Sequence, residues 1–411
     1  MNIFNGYLWQ SNENEMSLLQ RIKDLSEAIS LETINLRRYL HANPELSYQE
    51  YNTAKYVAEN LRQVGVDSIE GIATTGLIAE VRGKNPGKKL IALRADMDAL
   101  PIQETSDVPY KSKNTGVMHA CGHDVHTSSL LGTAKILNEI KSEFEGTVRF
   151  LFQPGEEKNP GGASYMIRDG ALENPRPSAI MGQHVFPLLP VGKIGFREGM
   201  YMASADEIYL KVIGKGGHGA APDLCIDPIV IASHIIIALQ QIISRNANPR
   251  QPTVLTFGNI VGYGATNVIP NEVNIAGTFR AMNEEWRDSA LVKIKKMAES
   301  IAEGMGGRCE VDISKGYPYL ENNPELTRRI RAAAEEYVGI ENVVSLDISL
   351  GAEDFSYYSQ VVPASFYRIG TRNEAKGISS YVHTPTFDID EDALKLSPGL
   401  MAWLAVKELE S

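Results

Sequence analysis

The chain has 411 residues, of which 43% are hydrophobic and 22% are charged, and its formal net charge is −11. An acidic chain without basic blocks repels phosphate backbones, which argues against nucleic acid as a partner. The chain has only three cysteines, and this odd, sparse set offers no disulfide framework and suits a reducing compartment.

The N-terminal segment predicts neither export nor membrane insertion. Residues 1–15 are polar and lack a basic region followed by an apolar run, so we expect a poorly ordered tail and no signal peptide. We also find no run that approaches the roughly 20 apolar residues needed to span a bilayer. These features predict a cytoplasmic protein with no membrane partner.

Residues 16–201 alternate between helical and strand patterns. Ser47 and Glu50 have the spacing of a capping box, which predicts the start of a helix. A further helix is predicted over 126–140. Four apolar runs predict buried strands, at 77–81, 90–93, 148–152 and 179–182. Strands that alternate with helices predict a mixed, mostly parallel α/β sheet flanked by helices.

The pattern changes after about residue 200. Strand, helix, strand, strand, helix and strand follow at 206–213, 228–242, 253–261, 272–281, 284–303 and 309–313. This β-α-β-β-α-β order is typical of a ferredoxin-like α+β unit, which folds on its own. We therefore predict a catalytic domain in two parts, 16–201 and 316–411, with an inserted lid domain at 202–315.

Side chains that can bind metals follow three of the predicted strands, at the point where each strand ends. Asp96 and Asp98 follow one strand, Glu156 and Glu157 follow another, and His184 follows a third. Sites in open α/β sheets form outside the carboxyl ends of the strands, so we expect these side chains to share a cleft. Adjacent carboxylates are usually surface groups. Here one could bind a metal while the other acts as a general base.

The segment HACGHDVH, at 119–126, holds one cysteine and three histidines. Cys121 and His123 are two residues apart, so both would point the same way from an extended segment. A thiolate together with an imidazole suits zinc and similar metals. The alternative is a buried structural cysteine, because free cysteines are often core residues. His184 and His383 are each ambiguous when considered alone.

Eight sequence motifs occur along the chain, and their order is that of a known family. They are RADMDALP, MHACGHDVHTSSLLG, QPGEE followed by GGASYMI, GQHV, GKGGHGAAP, NVIPNEVNIAGTFR, GAEDFSYY and VHTPTFDIDEDAL. Together they resemble the aminoacylase/carboxypeptidase-type metallopeptidases. The match is to the amidohydrolase branch, with hippurate hydrolases, N-acyl-L-amino acid amidohydrolases and IAA-amino acid hydrolases, and it spans roughly residues 30–400.

The resemblance implies an enzyme that cleaves the amide bond of N-acyl amino acids and releases a carboxylic acid and a free amino acid. It implies two divalent metal ions per chain (zinc, manganese, cobalt or nickel) and Glu156 as the general base. The metal ligands that it implies are Cys121, His123, Glu157, His184 and His383. The substrate-binding residues that it implies are His218, Asn267 and Arg280. It also implies a small-molecule substrate and a homodimer or homo-oligomer formed through the lid domain.

This chain departs from the family pattern within the motif RADMDALP, directly after the predicted strand at 90–93. Related branches carry His-x-Asp where this chain has Asp96-Met97-Asp98, which leaves open whether Asp96 contacts metal. We expect Asp98 to orient a ligand histidine. Three alternatives remain: a dipeptidase or carboxypeptidase of the same family, a hydrolase with Cys121 as nucleophile, and a metal- or ligand-binding protein without catalysis. Glu156 argues against the last, because binding alone needs no base.

Overall fold

The computed structural model describes residues 17–411. The predicted tail at 1–15 lies outside these residues, so it stays a prediction. Ten α-helices occur in the described part of the chain: α1 Leu18–Ala28, α2 Ser30–Ala42, α3 Tyr51–Val64, α4 His123–Glu139, α5 Gly162–Arg168, α6 Pro228–Gln241, α7 Glu284–Gly304, α8 Pro324–Val338, α9 Ser356–Ser359 and α10 Ala393–Glu410.

Sixteen strands occur within the same residues. They are β1 Ser68–Ile72, β2 Gly76–Arg82, β3 Leu90–Asp96, β4 Thr147–Gln153, β5 Ile180–Pro190, β6 Ile194–Phe196, β7 Gly199–Met202, β8 Asp206–Ile213, β9 Gly217–His218, β10 Thr253–Val261, β11 Val268–Ile269, β12 Glu272–Ala281, β13 Arg308–Lys315, β14 Leu320–Asn322, β15 Val343–Ser345 and β16 Ala364–Arg372.

The larger sheet has eight strands in the order β1-β2-β4-β3-β5-β16-β6-β15. Its four central strands, β4, β3, β5 and β16, run parallel. Every residue of β3 and β4 is buried, because helices cover one face and α5, α9 and nearby loops cover the other. This confirms the predicted sheet and places the carboxyl ends of the central strands at one edge.

A second sheet, in the order β10-β12-β8-β13, belongs to the inserted domain. Its apolar face packs against α6 and α7 through a separate core that includes Ile208, Ile235 and Ile294. The element order confirms the predicted ferredoxin-like insertion. The chain enters this domain after β7 and leaves it before β14, and these two strands pair with Met202 opposite Leu320. The boundaries at 202 and 315 stay predictions.

One helix in the described residues is long and apolar enough to cross a membrane by length and composition, namely Pro228–Asn246. It comprises α6 and the π-helical turn that continues it. It is not a continuous apolar run, because it contains Ser233, His234, Gln240 and Gln241. The helix contributes Ile231, Ile235 and Leu239 to the core of the inserted domain, while Ile237 is 73% exposed. Packing against one sheet thus accounts for only part of its apolar surface.

The predicted capping box at the start of α3 is wrong. Glu50 is the N-cap residue and its own side chain makes no capping hydrogen bond, while the carboxylate of Glu45 accepts the first-turn N–H groups of Asn52 and Thr53. Ser47 instead donates to Asp98 over 2.6 Å, and the carboxylate of Glu50 accepts the backbone N–H of Gly155 over 2.8 Å. Both side chains hold loops at the carboxyl edge of the large sheet. Because they make these hydrogen bonds, they do not form the reciprocal pair of a capping box.

Candidate active site

A cleft of about 1220 Å³ opens at the carboxyl edge of the large sheet, beneath the inserted domain. Both domains line it. The strands β5, β15 and β16 contribute from the large sheet, β7 contributes from its small sheet with β14, and β8, β12 and β13 contribute from the insertion. The predicted site residues that line the cleft are Cys121, Glu156, Glu157, His184, His383 and Arg280.

The five predicted metal ligands meet around the sulfur of Cys121. Its Sγ lies 3.4 Å from Nε2 of His184 and 3.3 Å from Nε2 of His383. The same nitrogen of His383 is 3.3 Å from Oε1 of Glu157. Nε2 of His123 is 3.9 Å from that oxygen. Residues as far apart in the sequence as Cys121 and His383 therefore lie close enough together to bind the same metal ion.

Gly122 lets Cys121 and His123 face the same centre. The sequence prediction placed them on an extended segment, and this is wrong, because His123 is the first residue of α4. Gly122 lies between them with a φ of +83°, and a Cβ atom there would lie 2.5 Å from Cγ2 of Val185. Only glycine adopts this left-handed conformation so close to β5 without strain.

His383 has an unusual backbone conformation for a residue with a side chain. Its φ is +62°, and its N–H donates to the carbonyl of Ala120 over 2.7 Å. Left-handed non-glycine residues cost free energy and persist where the surrounding structure holds them. Its side chain is 51% exposed, whereas the other predicted ligands are largely buried. His383 is thus the predicted ligand most accessible from the cleft.

The side chains at this centre fit a divalent metal. Nε2 of His123 and Oε1 of Glu157 are buried and have no hydrogen-bond partner, which is costly unless another group binds them. Five groups of potential ligands occur within the described residues, and three of them consist only of predicted site residues: Cys121, His123 and His184; Cys121, Glu157 and His383; His123, Glu156 and Glu157. A mixed set of sulfur, nitrogen and oxygen donors suits zinc and similar transition metals.

Several acidic groups crowd the site. Burial, followed by the charges of Glu353 and Glu157, raises the pKa of Glu156 well above its usual range. Burial, followed by Glu157 and Glu156, likewise raises the pKa of the Cys121 thiol. A bound cation would lower both pKa values, because it favours the charged forms. A metal site and a general base are therefore electrostatically compatible here.

Asp98 organises the residues around it, as predicted. Its carboxylate accepts the backbone N–H groups of Glu156 and Glu157, each over 3.0 Å. Oδ1 of Asp98 also lies 3.3 Å from Nδ1 of His123, and the carbonyl of Asp98 lies 2.8 Å from the same nitrogen. Asp98 therefore fixes both the Glu-Glu turn and the ring of a predicted ligand.

The sequence analysis did not identify Arg94 and His126 as supporting residues. Arg94 is fully buried and forms ion pairs with Asp96 over 2.7 Å and with Asp354 over 2.8 Å. Asp96 also lies 2.6 Å from Nδ1 of His126, whose Nε2 accepts the N–H of Val185. Asp96 thus has protein partners of its own. A charged Arg94 inside an otherwise apolar strand was the signal available in the sequence.

Of the three predicted substrate-binding residues, the structure brings one to the cleft. Arg280 lies on its wall, and its Nε donates to the hydroxyl of Thr278 over 3.2 Å. His218 and Asn267 are exposed on and beside the small β9–β11 ladder, and neither lines the cleft.

Comparison with known proteins places this geometry in a family. The model of peptidase family M20/M25/M40 matches residues 92–404. The chain belongs to this family. A thermostable carboxypeptidase of Saccharolobus solfataricus is 42% identical over 395 residues, which cover 95% of this chain and 99% of that protein. An N-acetylcysteine deacetylase of Bacillus subtilis is 40% identical over 387 residues, which cover 94% of this chain and 99% of that protein.

A solved structure agrees with the family assignment. The crystal structure of a dinuclear metal binding peptidase of family M20 from Bacillus subtilis matches with a TM-score of 0.79 and 37% identity, over 93% of this chain and 99% of that one. The present M20 chain is a metal-dependent hydrolase. Because its M20 relatives include both a carboxypeptidase and a deacetylase, family membership leaves the substrate open.

Proposed function

We propose that this M20 hydrolase cleaves the amide bond of N-acyl amino acids. One observation carries the proposal: Glu156, the predicted base, lines the same cleft as Arg280, a guanidinium that makes no ion pair within residues 17–411. An N-acyl amino acid presents a free carboxylate close to its scissile amide. A base and a cation in one cleft match these two features.

The metal-binding, general-base and positioning roles in this reaction fall to different residues. Cys121, His123, Glu157, His184 and His383 would hold two divalent metals (zinc, manganese, cobalt or nickel), which supply a more acidic water and a polarised carbonyl when bound. Glu156 takes the proton from the attacking water and delivers it to the leaving nitrogen. Asp98 and the hydroxyl of Tyr317, which donates to the carbonyl of Glu156, hold that base in place.

The inserted domain would contribute substrate recognition. Arg280 binds the substrate carboxylate through its guanidinium fork. His218 and Asn267 reach the cleft only after the inserted domain closes or when a second copy presents them. We further propose a homodimer formed through this domain, because α6 exposes Ile229, Val230 and Ile237 at 44%, 46% and 73%.

Two alternatives are weaker. A dipeptidase or carboxypeptidase also needs a cation for a carboxylate, and the carboxypeptidase relative keeps this candidate open. A nucleophilic Cys121 is disfavoured, because reactive thiols need a lowered pKa whereas burial and two carboxylates raise this one.

A substrate screen on metal-loaded protein tests the proposal. The protein is stripped with a chelator, reloaded with one metal at a time, and assayed on N-acetyl and N-benzoyl amino acids and on the corresponding dipeptides. We expect activity to vanish on stripping and return on reloading, with a higher kcat/KM for the acyl amino acids. Activity that survives stripping would favour the cysteine hydrolase, and faster turnover of dipeptides would favour the peptidase.

A further inference from the structure

Arg368 is a buried cation that the proposed chemistry does not use. It lies on β16 in register with His184 on the neighbouring parallel strand, so the two side chains share one face of the sheet. Arg368 is only 6% exposed, yet it lines the cleft. A guanidinium therefore lies at the floor of the cleft, beside a predicted metal ligand.

The contacts of Arg368 are neutral or aromatic. Its Nε donates to the hydroxyl of Tyr201 over 2.8 Å, and Nη2 lies 3.1 Å from Sδ of Met202. The guanidinium carbon lies 5.1 Å from the centre of the Phe366 ring and 5.7 Å from that of Phe186. No carboxylate within residues 17–411 forms an ion pair with it. Glu353, which also lines the cleft, pairs with Arg94 over 3.0 Å instead.

Other buried arginines in the described residues show what this side chain normally requires. Each makes at least one ion pair with a carboxylate, and none lines the cleft; they are Arg37, Arg94, Arg149 and Arg287. Burial of a guanidinium without an anion is costly, and aromatic rings offset only part of that cost. The missing anion of Arg368 can reach it from the cleft.

We propose that Arg368 binds a second carboxylate of the substrate, which makes this enzyme selective for N-acyl amino acids with two negative charges. The inference rests on the proposed function, in which Arg280 binds the α-carboxylate from the opposite, inserted-domain side of the cleft. The second carboxylate has two sources: an acyl group derived from a dicarboxylic acid, or an acidic amino-acid side chain. Rings around Arg368 keep water away, which strengthens a bidentate ion pair.

Two substrate pairs, matched in shape and different in charge, test the proposal on the metal-loaded full chain. One pair is N-succinyl-alanine and its ω-amide; the other is N-acetyl-glutamate and N-acetyl-glutamine. We expect the wild type to prefer the acid in at least one pair, on the order of 100-fold in kcat/KM. The pair that shows the preference identifies the source of the carboxylate.

Three variants assign the preference to Arg368. Arg368→Leu should reduce the acid-to-amide ratio to near one, and Arg368→Lys should keep part of it, because a point charge remains. Arg372→Leu is the matched control: Arg372 is on the same strand, pairs with Glu374, and lies outside the cleft, so its ratio should stay that of the wild type.

The outcomes separate the inference from the proposed function. If the wild type hydrolyses the acid and amide of both pairs equally well, or if Arg368→Leu keeps the preference, the role of Arg368 is overturned while the proposed function stands. If the wild type hydrolyses none of the four compounds, the proposed function fails and takes this inference with it. If the leucine variant does not fold, Arg368→Lys decides: a partial loss of the acid-to-amide preference supports the role of Arg368, and an unchanged ratio overturns it.

Discussion

Glu156 combines three properties that a general base needs. It lines the cleft, it lies beside the predicted metal ligands, and its backbone is fixed by Asp98. Glu156→Gln keeps the shape of the side chain and removes its ability to accept a proton. We expect kcat to fall by about 10³-fold or more with unchanged metal content.

Steady-state kinetics together with metal analysis check this prediction. Glu173→Gln, at an exposed position away from the cleft, is the control and should behave as the wild type. Near-normal turnover in Glu156→Gln would show that another group accepts the proton.

Cys121 has a predicted role that its surroundings make measurable. Its sulfur lies within 3.4 Å of two imidazole nitrogens. A hydroxyl is a poorer ligand for soft metals at neutral pH, so Cys121→Ser should lose metal and activity in parallel. Cys225→Ser, at a partly buried cysteine of the inserted domain, should lose neither. Full metal occupancy with no activity would instead favour a nucleophilic cysteine.

Sequence motifs anticipated the residues at the centre of the site better than those that support them. The predicted ligands and Glu156 do converge, because each lies in a short motif whose residue types already suit metal chemistry. The charge of Arg94 within an apolar strand was visible in the sequence, but its pairing with Asp354 was not, because that residue lies 260 positions away and such a separation leaves no local pattern. Ser47 was assigned to a helix cap for the same reason, since its actual partner Asp98 lies on another loop.

Individual strands show why the element pattern was readable. β3 and β4 are continuous apolar runs since both of their faces are covered, and this predicted their place in the sheet. The short ladder of β9 and β11 was not predicted, because two-residue strands carry no periodicity. The start of α4 was placed three residues late, because Gly122 in the left-handed region resembles a loop.

Arg94 places a charge within the buried strand β3, and we expect the free energy of unfolding to depend on it. Arg94→Met would leave Asp96, Glu353 and Asp354 without their shared cation. Removal of one partner of a buried ion pair costs about 3–5 kcal/mol in unfolding free energy. Urea denaturation of the metal-free proteins measures it, with the exposed Arg62→Met as control. A loss below about 1 kcal/mol would mean that these carboxylates take up protons at little cost.

At the scale of the whole molecule, residues of two domains line one cleft. Arg280 is the predicted residue of the inserted domain that already lines the cleft. Arg280→Lys replaces a bidentate fork by a point charge, so KM should rise about tenfold or more for N-acyl amino acids but little for their α-amides. We further propose that His218 stabilises the oxyanion that forms when water attacks the amide carbonyl, so His218→Ala should lower kcat for acids and amides alike.

Kinetics on matched acid and amide substrates measure this split. Equal weakening of both by Arg280→Lys would mean that the inserted domain covers the cleft without recognising the carboxylate. The overall architecture, with its ferredoxin-like insertion, was predictable from the order of elements. The positions of His218 and Asn267 outside the cleft were not, because the placement of the inserted domain over the large sheet depends on contacts between distant segments that leave no local pattern.

The pairing of β7 with β14 has an evolutionary consequence. Met202 and Leu320 lie opposite each other, so the chain leaves the large domain and returns to it at almost the same point. Everything between them behaves topologically as a cassette, because its two ends could be joined by a tight turn without disturbing the order of the parent sheet. Such an arrangement allows the metal-binding scaffold to be inherited intact while the cassette is exchanged, lengthened or lost. Hydrolases with the same catalytic core can then diverge in substrate choice and assembly by changes at this one insertion point.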